Sequence, residues 1–135
     1  MAGRNFKLDI VTPTKTVFSG DVQSFSAPGA AGGFQVLFNH APLLSSITIG
    51  QVKIIDPVGS ERRFATSGGF VEVNDNQVIL LAETAERADE IDVQRAVKAK
   101  ERATERLQQK ERIDEERARV ALARALNRLK IAGSN

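Results

Sequence analysis

From Phe6 to Ile10 apolar and polar side chains alternate, with Phe6, Leu8 and Ile10 in one phase and Lys7 and Asp9 in the other. A period of two is that of a strand with one face buried. Short apolar runs follow at 16–18, 22–27, 34–38, 44–49, 51–55, 63–66, 70–73 and 78–82. Turn signals separate them: Ser19-Gly20, Pro28-Gly29, Asn39, Asp56-Pro57-Val58-Gly59, Gly68-Gly69 and Asn74-Asp75-Asn76. Many short strands at regular spacing predict an antiparallel β-sandwich or barrel. All seven Phe residues lie in this half, where aromatic bulk suits a two-layer core.

The period changes near Ala85. Between Asp89 and Lys130 there is neither Gly nor Pro, and Ala, Arg, Glu and Lys dominate, most of them strong helix formers. Val93, Ala96, Ala99, Ala103 and Leu107 form one stripe at helical spacing; Ala118, Ala121, Leu122, Ala125, Leu126 and Leu129 form a second. The polar stretch 108–112 interrupts the first stripe, which places a turn there, and Gly133 and Ser134 close the second helix. The expected fold is an all-β N-terminal sandwich, residues 1–86, followed by a C-terminal α-helical hairpin of two antiparallel helices, residues 87–135. Acids near each helix start (Asp89, Glu90 and Asp92; Asp114, Glu115 and Glu116) and bases towards each end suit the helix macrodipole without any functional meaning.

Charge sharpens this division. Residues 1–85 carry six Lys/Arg against seven Asp/Glu, whereas residues 86–135 carry thirteen against ten, and no acid follows Glu116. Cys, Trp and Tyr are absent, which excludes disulfides and Cys-based metal sites. No apolar leader is expected in the first twenty residues, and no run approaches membrane-spanning length, so membrane association is expected only through partners.

Enzyme motifs are missing. Ser67-Gly68-Gly69 is not the Gly-x-Ser-x-Gly elbow of a hydrolase, and no Gly-Lys-Ser/Thr follows the glycines at 29–33. His40, the single histidine, has no nucleophile–base–orienter set around it, so no catalytic residue and no metal site are expected.

Four segments carry a resemblance: Val17-Phe18-Ser19-Gly20-Asp21-Val22, Asn39-His40-Ala41-Pro42-Leu43-Leu44, Ser67-Gly68-Gly69-Phe70-Val71-Glu72-Val73 and Ala85-Glu86-Arg87-Ala88-Asp89-Glu90-Ile91-Asp92. In this order, with a terminal helical hairpin, they resemble the epsilon subunits of bacterial F-type ATP synthases over residues 5–130. The resemblance implies a non-catalytic rotor subunit, one copy per complex, on the cytoplasmic face of the bacterial inner membrane; the lack of a transit peptide favours that source over an organelle. Its sandwich would bind the gamma subunit and the c-ring, with Asn39, His40, Ala41, Pro42 and Leu43 as the contact loop. Its hairpin would either fold back or extend into the alpha/beta catalytic hexamer and block ATP hydrolysis. Where the family carries Gly-Glu-Leu-Gly and Pro-Gly, this chain has Gly32-Gly33-Phe34-Gln35 and Phe38-Asn39, a more apolar loop.

Ile91-Asp92-Val93-Gln94-Arg95-Ala96 is similar to the family's Ile/Leu-Asp-x-x-Arg-Ala motif, which is linked to ATP as a regulatory ligand; no obligatory cofactor is expected. Asp92 and Arg95 are expected on one helix face, continued by Arg102, with Arg124 and Arg128 four apart on the second helix. A folded hairpin would bring these arginines together, and guanidinium forks suit phosphate. Glu86, Ile91 and Ala96 complete the set that the resemblance implies. The alternative leaves Asp92 as a helix-start acid and the arginines as solvated faces. The basic second helix (Arg117, Arg119, Arg124, Arg128 and Lys130) would meet acidic surface of the hexamer. Two rival readings are a free-standing ATP sensor and a nucleic-acid binder; the second is disfavoured because no Tyr or Trp is available for stacking.

Overall fold

The computed structural model describes residues 4–109 and 115–133. The chain divides into two compact units, Met1–Arg87 and Ala88–Asn135.

The first unit is a β-sandwich of eight strands: β1 (Phe6–Val11), β2 (Thr16–Val22), β3 (Ser24–Ala27), β4 (Phe34–Val36), β5 (Leu43–Ile55), β6 (Glu61–Asn74), β7 (Gln77–Ala82) and β8 (Ala85–Arg87). They follow one hydrogen-bonded path, β2-β1-β7-β6-β5-β3-β4, with β8 added to β6. The alternation in β1 holds: Phe6, Leu8 and Ile10 are buried among Phe25, Val52, Ile54, Phe64, Val71 and Leu80. Phe rings meet edge to face, Phe18 on Phe64 at 6.4 Å and Phe25 on Phe34 at 6.5 Å, the favoured geometry for aromatic quadrupoles.

Three expectations change. Ser19-Gly20 is no turn, since both residues lie inside β2. The breaks expected at Gly50 and at Gly68-Gly69 are also absent: β5 and β6 run through them as strands of 13 and 14 residues in unbroken register. Gly68-Gly69 marks where β6 changes its second partner. Residues 69–74 of β6 pair with β7, whereas 64–66 pair with β8. At the junction Gly68 and Gly69 have φ of +122° and +145°, which L side chains rarely adopt. A Cβ at Gly69 would also collide with the Leu81 carbonyl oxygen. Gly69→Ala is therefore expected to lower the unfolding free energy by about 2–3 kcal/mol, read by urea denaturation. Thirdly, β1 pairs parallel with β7, so the sheet is mixed rather than wholly antiparallel.

Two turns match their chemistry. Asp75 and Asn76, both with positive φ, join β6 to β7 as a two-residue hairpin turn. At the β5–β6 turn Asp56 Oδ1 accepts from the amides of Val58 and Ser60, and Gly59 has φ +92°.

The second unit begins with a 3₁₀ turn at Ala88–Glu90 and continues as α1 (Val93–Gln108) and α2 (Glu115–Gly133). Of the expected turn at 108–112, Gln108 ends α1 and Gln109 is its C-cap; residues 110–112, with Asp114 and Ser134, lie outside the described residues. Asp89 and Glu90 sit in the 3₁₀ turn and Asp92 is an N-cap, so the first turn of α1 itself holds no acid. The helical stripes are narrower than expected: Ala96 and Ala103 are buried on α1, and Ala118, Ala125 and Ile131 on α2, while Val93 and Leu126 are nearly half exposed.

Ala99, Arg102, Ala103 and Arg106 face Ala118 and Ala121 across a cavity of about 160 Å³, and α2 returns to the 3₁₀ turn. The helices are therefore antiparallel. That register sets Ala103 level with Ala118 and, one heptad away, Ala96 level with Ala125. The four Ala methyls of these layers contribute only about 3 kcal/mol, supplemented by buried Ile131 and half-buried Leu107, Leu122 and Leu129.

Candidate functional site

The loop after β4 closes through a turn in which the His40 amide donates to the Leu37 carbonyl at 3.1 Å. Asn39 occupies its third position with φ +64°, a conformation that Gly adopts freely and Asn tolerates better than most residues. The substitution of Phe38-Asn39 for Pro-Gly thus keeps the left-handed residue that the turn requires. The His40 ring Nδ1 lies 2.6 Å from the Ala41 carbonyl oxygen. Asn39, Ala41 and Pro42 are exposed, His40 and Leu43 half-buried, and Leu43 packs on the core. The expected apolar character of the preceding loop is redirected. Phe34 starts β4 and turns onto the core against Phe25, and the Gln35 side-chain amide donates to Ser24 Oγ at 2.9 Å.

Sequence reasoning missed a second feature of the sandwich. Phe70 pairs with Leu81, and Leu81 with Val11, along one row of the sheet. In the next row of the same phase Leu44 pairs with Glu72, and Glu72 with Ile79. These side chains are in the outward phase, opposite to buried Val71, Val73, Val78 and Leu80, and Leu44, Phe70 and Leu81 are 74%, 58% and 55% exposed. The signal was legible in Val78-Ile79-Leu80-Leu81, which is apolar in both phases of a strand. An uncovered row of large apolar residues is the mark of a binding face.

On the hairpin, Asp92 is not on a helix face with Arg95. Its backbone is extended, and its Oδ1 accepts from the Arg95 backbone amide at 3.0 Å, so it caps α1. Asp92→Ala is expected to cost about 1 kcal/mol of hairpin stability, and Asp92→Asn much less, measured by the helical signal on heating. The seam register puts Arg95, beside Ala96, level with Arg124 and Arg128, which bracket Ala125. Arg95 is exposed; Arg124 and Arg128 are half-buried. Arg102 lies one heptad away, about 10 Å along the axis, on the rim of the Ala-lined cavity. Arg106 shares that rim and was not singled out from sequence, although it follows Arg102 by four residues, one helical turn. Ile91 is buried just before the cap. Glu86 is in β8, paired with Ala65, and so belongs to the first unit. Of the basic residues on α2, Arg119 reaches Glu115 at 3.6 Å, an exposed pair one turn apart. Among the described residues no group of three or more His, Cys, Asp or Glu is placed to hold a metal ion, and no helix is long and apolar enough to cross a membrane.

Both units have relatives. Residues 5–88 match the family described as ATP synthase, Delta/Epsilon chain, beta-sandwich domain, and residues 89–133 match ATP synthase, Delta/Epsilon chain, long alpha-helix domain. The chain is similar to the ATP synthase epsilon chain of Desulforamulus reducens, 47% identical over 127 residues that cover 93% of this chain and 96% of that one. It is 48% identical over 132 residues to that of Nitratidesulfovibrio vulgaris, with 97% and 98% covered. Among solved structures it is similar to a chain in the Euglena gracilis mitochondrial ATP synthase (OSCP/F1/c-ring), at TM-score 0.79 and 22% identity, covering 91% of this chain and 78% of that one. A chain in the Tetrahymena thermophila mitochondrial ATP synthase (central stalk/c-ring) matches at TM-score 0.60 and 16% identity, covering 93% and 95%. These two likenesses concern the fold. With matches across both units and close relatives along nearly its whole length, the chain belongs to the Delta/Epsilon family of the ATP synthase.

Proposed function

We propose that this chain is a non-catalytic central-stalk subunit whose sandwich binds gamma and the c-ring and whose hairpin regulates ATP hydrolysis. Family membership supports the first part, and the exposed Phe70, Leu81 and Leu44 on one face of the sheet give the sandwich a surface suited to a permanent partner. Its place is the cytoplasmic face of a bacterial inner membrane, reached through partners. No nucleic acid is involved.

The observation that carries the regulatory part is the composition of the hairpin seam. The buried residues of its two central layers are Ala, and its Leu residues at 107, 122 and 129 are only half-buried, so folding back gains modestly and the hairpin can exchange between a folded and an extended state. In the extended state the basic face of α2 meets acidic surface of the catalytic hexamer and blocks hydrolysis. ATP favours the folded state, held by Arg95, Arg124 and Arg128 at one level and Arg102 a heptad away, with Asp92, Ile91 and Ala96 completing the site. A ligand at a hundred times its dissociation constant stabilises the state it binds by about 2.7 kcal/mol, comparable to the Ala seam itself. Calorimetric titration of the full chain with ATP tests the site directly. Saturable binding is expected, and no heat at millimolar ATP would return the arginines to solvated surface.

A further inference from the structure

Asn76 has no assigned role in either part of that reading, yet its side chain is fully engaged. Asn76 Oδ1 accepts from the Asn39 backbone amide at 2.6 Å, and Asn76 Nδ2 donates to Asn39 Oδ1 at 2.9 Å. The carbonyl of Asn76 accepts from the Lys7 amide at 3.0 Å, tying the same residue to β1. Both asparagines have positive φ, +59° at Asn76 and +64° at Asn39. Two left-handed residues, 37 positions apart in the chain, thus form a closed pair of amide bonds between the β6–β7 turn and the contact loop.

The roles of the four atoms are fixed by one of them. A backbone amide can only donate, so Asn76 must present its oxygen to Asn39 N–H and its NH₂ to the Asn39 side chain. Turn 37–40 carries Leu37 and Phe38 at its tip, 52% and 37% exposed. Without an anchor, a four-residue turn with two exposed apolar residues would sample several conformations, and a partner would have to order it on binding.

We propose that Asn76 is a positioning residue for partner binding. Through its paired bonds to Asn39 it holds turn 37–40 in one conformation and so presents Leu37 and Phe38 as a fixed apolar contact for the rotor. This rests on the reading that the sandwich binds gamma and the c-ring. It accounts for Asn rather than Gly at position 39, because only a side chain there completes the pair. Asp at 39 would keep both bonds, since Asn39 uses only its backbone amide and Oδ1.

The test measures binding of the full chain to the purified complex of gamma with the c-ring, using wild type, Asn76→Gly, Asn39→Gly, Asn39→Asp and the double variant Leu37→Ala/Phe38→Ala. Gly at either position keeps the left-handed backbone, so the fold is retained and is checked by circular dichroism. Asn76→Gly and Asn39→Gly are each expected to weaken binding about five- to tenfold, the size of one or two net hydrogen bonds, while Asn39→Asp stays within about twofold. In the Leu37→Ala/Phe38→Ala background Asn76→Gly should change affinity less than about twofold, because the clamp acts through the tip. A purely structural role predicts that the two effects multiply. Multiplied effects, or wild-type affinity in Asn76→Gly, would overturn the clamp while leaving the rotor reading intact. Failure of the wild-type chain to bind would instead remove the rotor reading, and the clamp with it.

Discussion

Cutting the chain after Arg87 is expected to raise ATP hydrolysis by the reconstituted complex while leaving the sandwich bound to it. The first unit has its own core, from Phe6 and Leu8 to Phe64 and Leu80, and keeps the outward-facing Leu44, Phe70 and Leu81. The cut falls after β8, whose residues Ala85, Glu86 and Arg87 pair with β6; a cut before Arg87 would take the last residue of that strand. If the extended hairpin holds nine complexes in ten, its removal releases about tenfold in rate, equivalent to about 1.4 kcal/mol. Changing Arg117, Arg119, Arg124, Arg128 and Lys130 together to Ala should mimic the release, since Ala preserves helix propensity and the change reports charge. Arg124 and Arg128 are also assigned to ATP, so hydrolysis must be compared at low and high ATP. Unchanged hydrolysis after truncation at both levels would show that this hairpin inhibits nothing.

Arg128→Ala and Arg95→Ala are each expected to weaken ATP binding by about 1.5–3 kcal/mol, or roughly ten- to more than a hundredfold. Both lie at the level of the hairpin where the Ala96 and Ala125 layer brings the helices together, Arg95 exposed and Arg128 half-buried. Lys at either position should recover only part of the loss, because a point ammonium does not reproduce the planar fork on phosphate. Arg106→Ala separates the two arginine groups: Arg106 lines the cavity with Arg102 but lies three helical turns from Arg95, and its loss should cost ATP binding least. Equal affinity for all of these variants, by titration of the full chain, would mean that ATP is held elsewhere or not at all.

Much of this arrangement was legible in the residues. The alternation of Phe6, Leu8 and Ile10 gave the buried phase of β1 directly, and Asn74-Asp75-Asn76 gave a hairpin turn because two left-handed residues suit Asp and Asn. The seam was legible as a stripe, although only its Ala positions are buried, since small residues let the axes approach while Val93 and Leu126 stay at the edges. The glycines misled. Gly68 and Gly69 read as a turn, but a positive φ inside a long strand bends it without ending it, and local sequence does not distinguish the two. The parallel β1–β7 pair and the Asn39–Asn76 clamp depend on which strands become neighbours, so no local pattern predicts them; Val78-Ile79-Leu80-Leu81 announced an apolar outer face, but not its juxtaposition with Leu44 and Phe70. Asp92 was misplaced by one residue for a similar reason: the same acid suits a helix face or its cap, and only the backbone decides.

The most direct test of the regulatory account uses the absence of Cys from the chain. Ala103 and Ala118 line one gap between the helices, and replacing both by Cys gives a hairpin that oxidation locks in the folded state. In a complex whose other subunits lack reactive thiols, hydrolysis with the oxidised chain should match that with the truncated chain. Reduction should restore inhibition, most strongly at low ATP. Inhibition that persists in the oxidised, locked chain, or that fails to return on reduction, would contradict the account.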